Sequence, residues 1–300
     1  MSDVVLFEEV SKRFGDVRAL DNVTFRMSEN INFLLGPNGS GKSTAINLMA
    51  GLVRRDSGNI LILGRDPHDI YKIIRKVGFL LEKYWFYESL TGYEHIVLAA
   101  KLKGIERPEA VAREAVEMVA LGEYAEKPIT GYSKGNLQKL ALAHAFLGNP
   151  ELVILDEPFA NLDPPSSKHL VRVINELSRG GVKFVISTHV LSYIEELRGH
   201  VVMLDKGRVI YEGDMRDILN KIRGIIVVKG RPLDTLASIL ESAGFKYIIL
   251  DDKIVVKTSN ITELSKILKM AKDLESFELK RGIIELEELF RLGGATWFSK

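Results

Sequence analysis

Residues 31–44 read "INFLLGPNGSGKST". A short strand-like run, "INFLL", passes straight into a glycine-rich turn that fits G-x-x-x-x-G-K-[ST], and the turn opens into the helical pattern "KSTAINLMAGL". Strand, loop and helix in that order are the context a phosphate-binding loop requires. Gly36, Gly39 and Gly41 let the backbone bend so that successive N–H groups face phosphate oxygens, with Pro37, Asn38 and Ser40 completing the cradle. The following helix adds its positive end. Lys42 can then reach the β- and γ-phosphates, and Ser43 is placed to bind Mg²⁺ with Thr44 beside it.

Working outward, the first 220 residues alternate short β-branched runs with helical patterns, the signature of parallel strands crossed by helices. The runs "NINFLLG", "KVGFLLE", "ELVILDEP" and "VKFVISTH" each end in a polar or glycine residue. Ligands in an open α/β sheet bind beyond the carboxyl ends of the strands, so the chemistry should collect where these four runs stop. "ELVILDEP" ends in two carboxylates. Asp156 is suited to holding Mg²⁺ directly or through water, and Glu157 could polarise an attacking water as general base. Between the runs, the spacing predicts amphipathic helices over 107–124 and 133–148.

From about residue 222 the texture changes. "RGIIVVKG", "PLDTLASILESAG", "KYIILDD", "KIVVKTS", "ITELSKILKMAKD" and "ESFELKRG" read strand, helix, strand, strand, helix, strand, with Asp251-Asp252 at the hairpin. That order matches the ferredoxin-like split βαβ plan. A last apolar-periodic segment, "IIELEELFRL" at 283–292, reads as a helix. The expected division is therefore a nucleotide-binding domain over 1–220 and a smaller α+β accessory domain over 221–300.

Composition narrows the function classes. Of 300 residues, 46% are hydrophobic and 27% charged, and 41 basic against 40 acidic residues leave a formal charge of +1. That balance gives no electrostatic argument for nucleic acid. The chain has no cysteine, which removes disulfides, thiolate chemistry and thiolate-bound metals. The start "MSDVVLFEEVSKRFG" lacks the basic opening and long apolar stretch of a secretory signal, and no window approaches the roughly 20 apolar residues of a membrane helix. A cytoplasmic protein that meets a membrane only through a partner is expected.

Five separated motifs carry a family resemblance: the loop with Lys42, "YSKGNLQKL" at 132–140, "LVILDEP", "ANLDP" at 160–164 and "STHV" at 187–190. In order and approximate spacing they resemble an ATP-binding cassette (ABC) ATPase over roughly residues 3–220. The resemblance implies an α/β P-loop NTPase fold that hydrolyses ATP with Mg²⁺. It implies that Ser133 and Gly135, the two positions of "YSKGN" that match the family's "LSGGQ" signature, meet the γ-phosphate of ATP bound to a second copy. Tyr132, Lys134 and Asn136 depart from that signature, and Ser133 alone would read as a helix N-cap. The resemblance further places Asp163 at the dimer interface, His189 on the γ-phosphate and Phe14, in "KRFG", against adenine. A lone His189 would otherwise read as a structural histidine.

Glu82 stands where the family normally has a glutamine that touches Mg²⁺ and the attacking water. A carboxylate ligates a hard cation at least as well as an amide oxygen, so the change need not abolish hydrolysis. Glutamate here, the "YSKG" signature and the C-terminal extension are similar to exporters of the ABC-2 type. After Glu82 come four consecutive aromatics, Tyr84 to Tyr87. Taken alone, two of them should face the core and two should be incidental. In the family this segment receives a short helix of the membrane permease, so Trp85, Phe86 and Tyr87 are expected to include that contact.

The resemblance thus implies an ATP-hydrolysing subunit that pairs with a second cassette, most simply a homodimer, and powers a separate permease from the cytoplasmic face. The alternative is a soluble cassette that clamps a non-membrane partner. Relatives of that kind bring long coiled coils, zinc sites or a second cassette in one chain, and none is visible in this sequence.

Overall fold

The computed structural model describes residues 3–72, 74–188, 193, 196–223, 225–250, 252–257, 261–270 and 276–281. The chain divides into two compact units, Met1–Gly213 and Asp214–Lys300.

In the first unit the run read first from sequence is strand β3, Ile31–Leu35, preceded by β1 (Val5–Phe14) and β2 (Val17–Met27). Every residue of β3 is buried. Strands covered on both faces read as continuous apolar runs, and β6 (Leu152–Asp156) and β7 (Lys183–Ser187) share that character. With β5 (Val77–Leu80), β8 (His200–Asp205) and β9 (Arg208–Asp214), they form a six-stranded sheet in the order β5-β6-β7-β3-β8-β9. The pairs β5–β6, β6–β7, β7–β3 and β3–β8 are parallel. From β3 the chain runs to the far edge at β5, returns through β6 and β7, and ends on the other side of β3. The carboxyl ends of β3, β6 and β7 therefore lie side by side, with Asp156 and Leu34 each paired in register with Ser187.

A second sheet was not foreseen. Strands β1, β2 and β4 (Ser57–Ile62) form a three-stranded antiparallel sheet in the order β2-β1-β4, where the sequence pattern pointed only to parallel strands. The reason is local: Phe14 pairs with Val17 across a turn at Gly15-Asp16, and so short a connection can join only antiparallel strands. Phe7 and Phe25 stack across this pair with ring centroids 4.5 Å apart.

Helix α1 (Lys42–Met49) follows the glycine loop. Helix α2 (Gly92–Leu102) starts at a complete capping box, in which Thr91 accepts from the Glu94 N–H and the Glu94 carboxylate accepts from the Thr91 N–H. Helix α3 (Pro108–Met118) is shorter than the expected 107–124. Ala120 and Gly122 take left-handed φ values of 51° and 60°, which end the helix before a short 3₁₀ turn over Gly122–Glu126. Helix α4 (Lys134–Phe146) is capped by Ser133, and α5 (Pro164–Arg179) by Asp163. Strand β5 meets α4 without an intervening side chain: a Cβ on Gly78 would stand 1.7 Å from the Ala145 carbonyl oxygen.

The second unit opens with α6 (Met215–Arg223) and continues as β10 (Ile225–Arg231), α7 (Leu233–Ser242), β11 (Tyr247–Leu250), β12 (Lys253–Lys257), α8 (Ile261–Met270) and β13 (Ser276–Arg281). Its sheet order is β11-β12-β10-β13 with every pair antiparallel, the ferredoxin-like arrangement. Ile226, Val228, Ile254 and Val256 alternate onto one face and pack with Leu236, Leu240, Leu264 and Leu268. The helix expected at 283–292 and Asp251 of the hairpin lie outside the described residues. Among the described residues no helix is long and apolar enough to cross a membrane.

Candidate nucleotide site

The strand ends of the first unit open onto a cavity of about 710 Å³. Asn38, Gly39, Gly41, Lys42, Ser43 and Thr44 line it from the loop and the start of α1. Gly36, Pro37 and Ser40, expected in the cradle, are not among the lining residues. The Lys42 ammonium donates to the carbonyls of Gly36 at 2.7 Å and Pro37 at 3.1 Å, so the lysine spans its own loop. Gly41 has φ 109°, and a Cβ there would stand 2.6 Å from the Ala19 carbonyl oxygen, so only glycine lets the loop lie this close to β2. The Gly207 N–H donates to the Ser40 carbonyl at 3.0 Å, tying the loop to the turn between β8 and β9 and bringing Lys206 to the cavity wall.

Two features fit a polyphosphate. The first turn of α1 has no side-chain cap and no acidic residue, so its N–H groups offer unscreened positive charge. The Ser40 hydroxyl is buried with no hydrogen-bond partner among the described residues. Phe14, half exposed at 49%, adds a flat apolar face to the lining, with the Lys12 ammonium 5.2 Å from its ring centre.

Asp156, Glu157 and Glu82 complete the lining. Burial pushes the Asp156 carboxyl above its ordinary value; hydrogen bonds from the Ser187 and Ser43 hydroxyls pull it back, and the charges of Glu157 and Glu82 add to the rise. A carboxylate so placed gains from a cation. Among the described residues no group of three or more histidine, cysteine, aspartate or glutamate side chains could hold a metal ion. A Mg²⁺ held by Asp156, Ser43 and Glu82 would draw its remaining ligands from phosphate and water.

Glu157 has a left-handed φ of 47°. Its N–H donates to the Ser187 hydroxyl at 3.0 Å and to the Ser187 carbonyl at 3.2 Å. Ser187 therefore holds both carboxylate residues at once. This serine belongs to the "STHV" motif, where nothing in the sequence marks its role, although it ends its strand in register with Asp156. Gln138 likewise carries no signal of its role in the sequence. It is buried in α4, donates to the Pro158 carbonyl at 3.1 Å and accepts from the Tyr84 hydroxyl at 3.1 Å. Arg18 and Lys206, which add positive charge to the cavity, carried no motif signal.

Ser133, Gly135 and Asp163 do not line this cavity. Ser133 accepts from the Asn136 N–H at 3.2 Å and Asp163 from the Ser166 N–H at 2.8 Å, each starting its helix. Gly135 lies close to Asn161, whose carbonyl oxygen would be 3.0 Å from an added Cβ. His189 lies outside the described residues. The aromatic run alternates: Tyr84 and Phe86 turn inward, with Phe86 edge-on to His95 at 5.0 Å, while Trp85 and Tyr87 are 91% and 65% exposed.

A family profile described as "ABC transporter" matches residues 20–160. The uncharacterised ABC transporter ATP-binding protein YhaQ of Bacillus subtilis is 35% identical over 218 residues, covering 72% of each chain. This chain belongs to the ABC transporter family. The bacitracin transport ATP-binding protein BcrA of Bacillus licheniformis is also similar, at 35% identity over 71% of this chain and 70% of BcrA. Among solved structures, an ATP-binding subunit of an ABC transporter superposes with a TM-score of 0.66 at 32% identity, covering 73% of this chain and 92% of that one. A dimeric ATP-binding cassette in a post-hydrolysis state, bound to ADP and Pi, gives 0.64 at 27% identity over 71% of this chain and 99% of that one. The ABC protein described here is thus an ATP-binding, ATP-hydrolysing subunit. ABC cassettes dimerise and work with membrane permease subunits.

Proposed function

We propose that this ABC subunit binds Mg²⁺-ATP in the 710 Å³ cavity and drives an ABC-2 type exporter from the cytoplasmic face of the membrane. The observation that carries the reading is the meeting of the Lys42 loop with Asp156 and Glu157 in one cavity. Gly36 to Thr44 cradle the triphosphate, Lys42 supplies the positive charge, and the Phe14 ring carries the adenine. Asp156, Ser43 and Glu82 would hold Mg²⁺, which would neutralise negative charge on the phosphates. Glu157 accepts the proton of the attacking water, and His189 supports the γ-phosphate.

Ser133, Gly135 and Asp163 serve a second copy of the chain, since they stand at helix starts outside the cavity they would otherwise serve. A γ-phosphate that touches both copies favours the closed pair, and hydrolysis removes that preference. The segment Trp85, Phe86 and Tyr87 includes the permease contact, with Trp85 and Tyr87 its exposed members and Phe86 packed edge-on to His95. Residues 221–300 act as an accessory unit that stabilises or regulates the pair. Names among the relatives, bacitracin transport for BcrA and linearmycin resistance for LnrL of Bacillus subtilis, support export.

The test is Glu157→Gln. Nucleotide affinity should stay unchanged while turnover collapses, and size-exclusion chromatography with ATP should show a trapped dimer. Unchanged turnover would contradict the assigned base.

A further inference from the structure

A non-glycine residue at positive φ is held there by its surroundings. Glu157, at φ 47°, is held from two directions. On one side Ser187 of β7 takes its N–H. On the other, its carbonyl accepts from the Ala160 N–H at 3.1 Å and, at the longer distance of 3.4 Å, from the Gln138 amide. The same amide donates at 3.1 Å to the carbonyl of Pro158, the next residue.

The polarity of this contact is forced. Carbonyl oxygens can only accept, so the Gln138 nitrogen must face Glu157 and Pro158, which leaves Oε1 as an acceptor pointing at Tyr84. Tyr84 therefore donates, at 3.1 Å, and burial pushes its hydroxyl further from ionisation. Tyr84 also packs against Phe86 with ring centroids 5.2 Å apart, two residues after Glu82 and next to exposed Trp85. Gln138, the middle member, is only 4% exposed, so its amide is largely shielded from water.

We propose that Tyr84 and Gln138 are a positioning pair, a directed hydrogen-bond relay from the aromatic segment after β5, through α4, to the backbone that aims Glu157. The inference rests on the assignment of Glu157 as the base and extends it: the base is set by the segment that also presents Trp85 and Tyr87. A partner that moves Tyr84 loosens the carbonyls of Glu157 and Pro158 and changes the rate of hydrolysis without touching the nucleotide. Neither residue is a catalytic residue, since each acts through another.

The experiment uses the full chain with Tyr84→Phe, Gln138→Leu and the double variant, read by single-turnover hydrolysis, equilibrium binding of a fluorescent ATP analogue and thermal unfolding. Tyr84→Phe removes one oxygen and keeps both rings packed, so it stays informative if Gln138→Leu folds poorly. Each single variant should slow hydrolysis by about 10-fold or more with Kd for the analogue within about 2-fold. The double variant should be no slower than Gln138→Leu alone, because the two substitutions break one chain. A folded Tyr84→Phe protein that hydrolyses at the parental rate overturns the relay, as does a parallel loss of affinity or full additivity. Glu157→Gln run alongside separates the failures. If that variant still turns over, the base and the relay fall together; if it is dead while Tyr84→Phe is normal, only the relay falls.

Discussion

Both units of this chain are layered from helices and a sheet, yet they treat polar groups differently. In the first, Lys42, Gln138, Asp156, Ser187 and Thr188 are buried around the carboxyl ends of the parallel strands. In the second, the sheet and its two helices enclose Ile226, Val228, Leu236, Leu240, Ile254, Val256, Leu264 and Leu268, and no described polar side chain is buried among them. Burying a polar group costs stability unless partners compensate it. The first unit accepts that cost most densely at the strand ends, where the nucleotide cavity lies, and also at Asn32, His95, Ser167 and Ser178; among the described residues the second accepts none. The contrast separates a region organised for chemistry from one organised by packing.

Four measurements bear on the contrast, taken from the largest effect downward. Glu157→Gln should reduce ATP turnover about 100-fold or more, the range in which removal of a general base falls, with the melting temperature nearly unchanged. Leu240→Ala, at a fully buried site of the second unit, should do the reverse. It should destabilise that unit by about 2–5 kcal/mol in urea titrations and leave Kd for ATP within about 2-fold. A large loss of nucleotide affinity in Leu240→Ala would erase the distinction.

The third measurement concerns His144, whose ring lies 2.9 Å from that of His95 and whose pKa is pushed down to about 3 by burial, with the charges of His95 and Lys103 adding. The unfolded chain takes up this proton near the ordinary histidine value, whereas the folded protein refuses it. Stability is therefore complete above about pH 6.5 and falls as the pH drops towards 3, by about 1.4 kcal/mol per pH unit for one proton. Urea titrations at pH 7 and pH 5 should show the loss, and His144→Leu should reduce it, leaving the share of His95, whose pKa burial also lowers.

The smallest effect has the opposite sign. Asp156 is raised by burial, so its ionised form opposes folding at neutral pH and the lost stability returns as the pH falls through its raised folded value. Asp156→Asn should raise the melting temperature of the nucleotide-free protein by about 2–4 °C while abolishing turnover. A lowered melting temperature would mean that Asp156 contributes packing rather than stored electrostatic cost.

Much of this arrangement is legible in the sequence because it is local or periodic. "INFLL", "ELVILD" and "VKFVIS" are strands buried on both faces, and their polar ends point to the cavity without any knowledge of sheet order. The strand and helix order after residue 221 is readable for the same reason. What escapes depends on register. Strand β1 pairs antiparallel on both sides, and its alternation is broken by shifts near Glu9, at φ 53°, so the period-two signal is blurred. Helix α3 stops at Met118, ahead of left-handed Ala120, a residue type that carries no glycine-like warning. Ser187 and Gln138 look like ordinary residues of a strand and a helix. They matter only because folding brings them to Glu157 from positions 30 and 19 residues away.

Gly78 sets a limit on how this protein can vary. Where β5 crosses α4, main chain rests on main chain, and the smallest possible side chain would collide with the Ala145 carbonyl. Position 78 accordingly has an alphabet of one letter. Drift or redesign can rewrite the surrounding apolar positions in concert, but at that crossing neither has a second option short of prising the helix off the sheet.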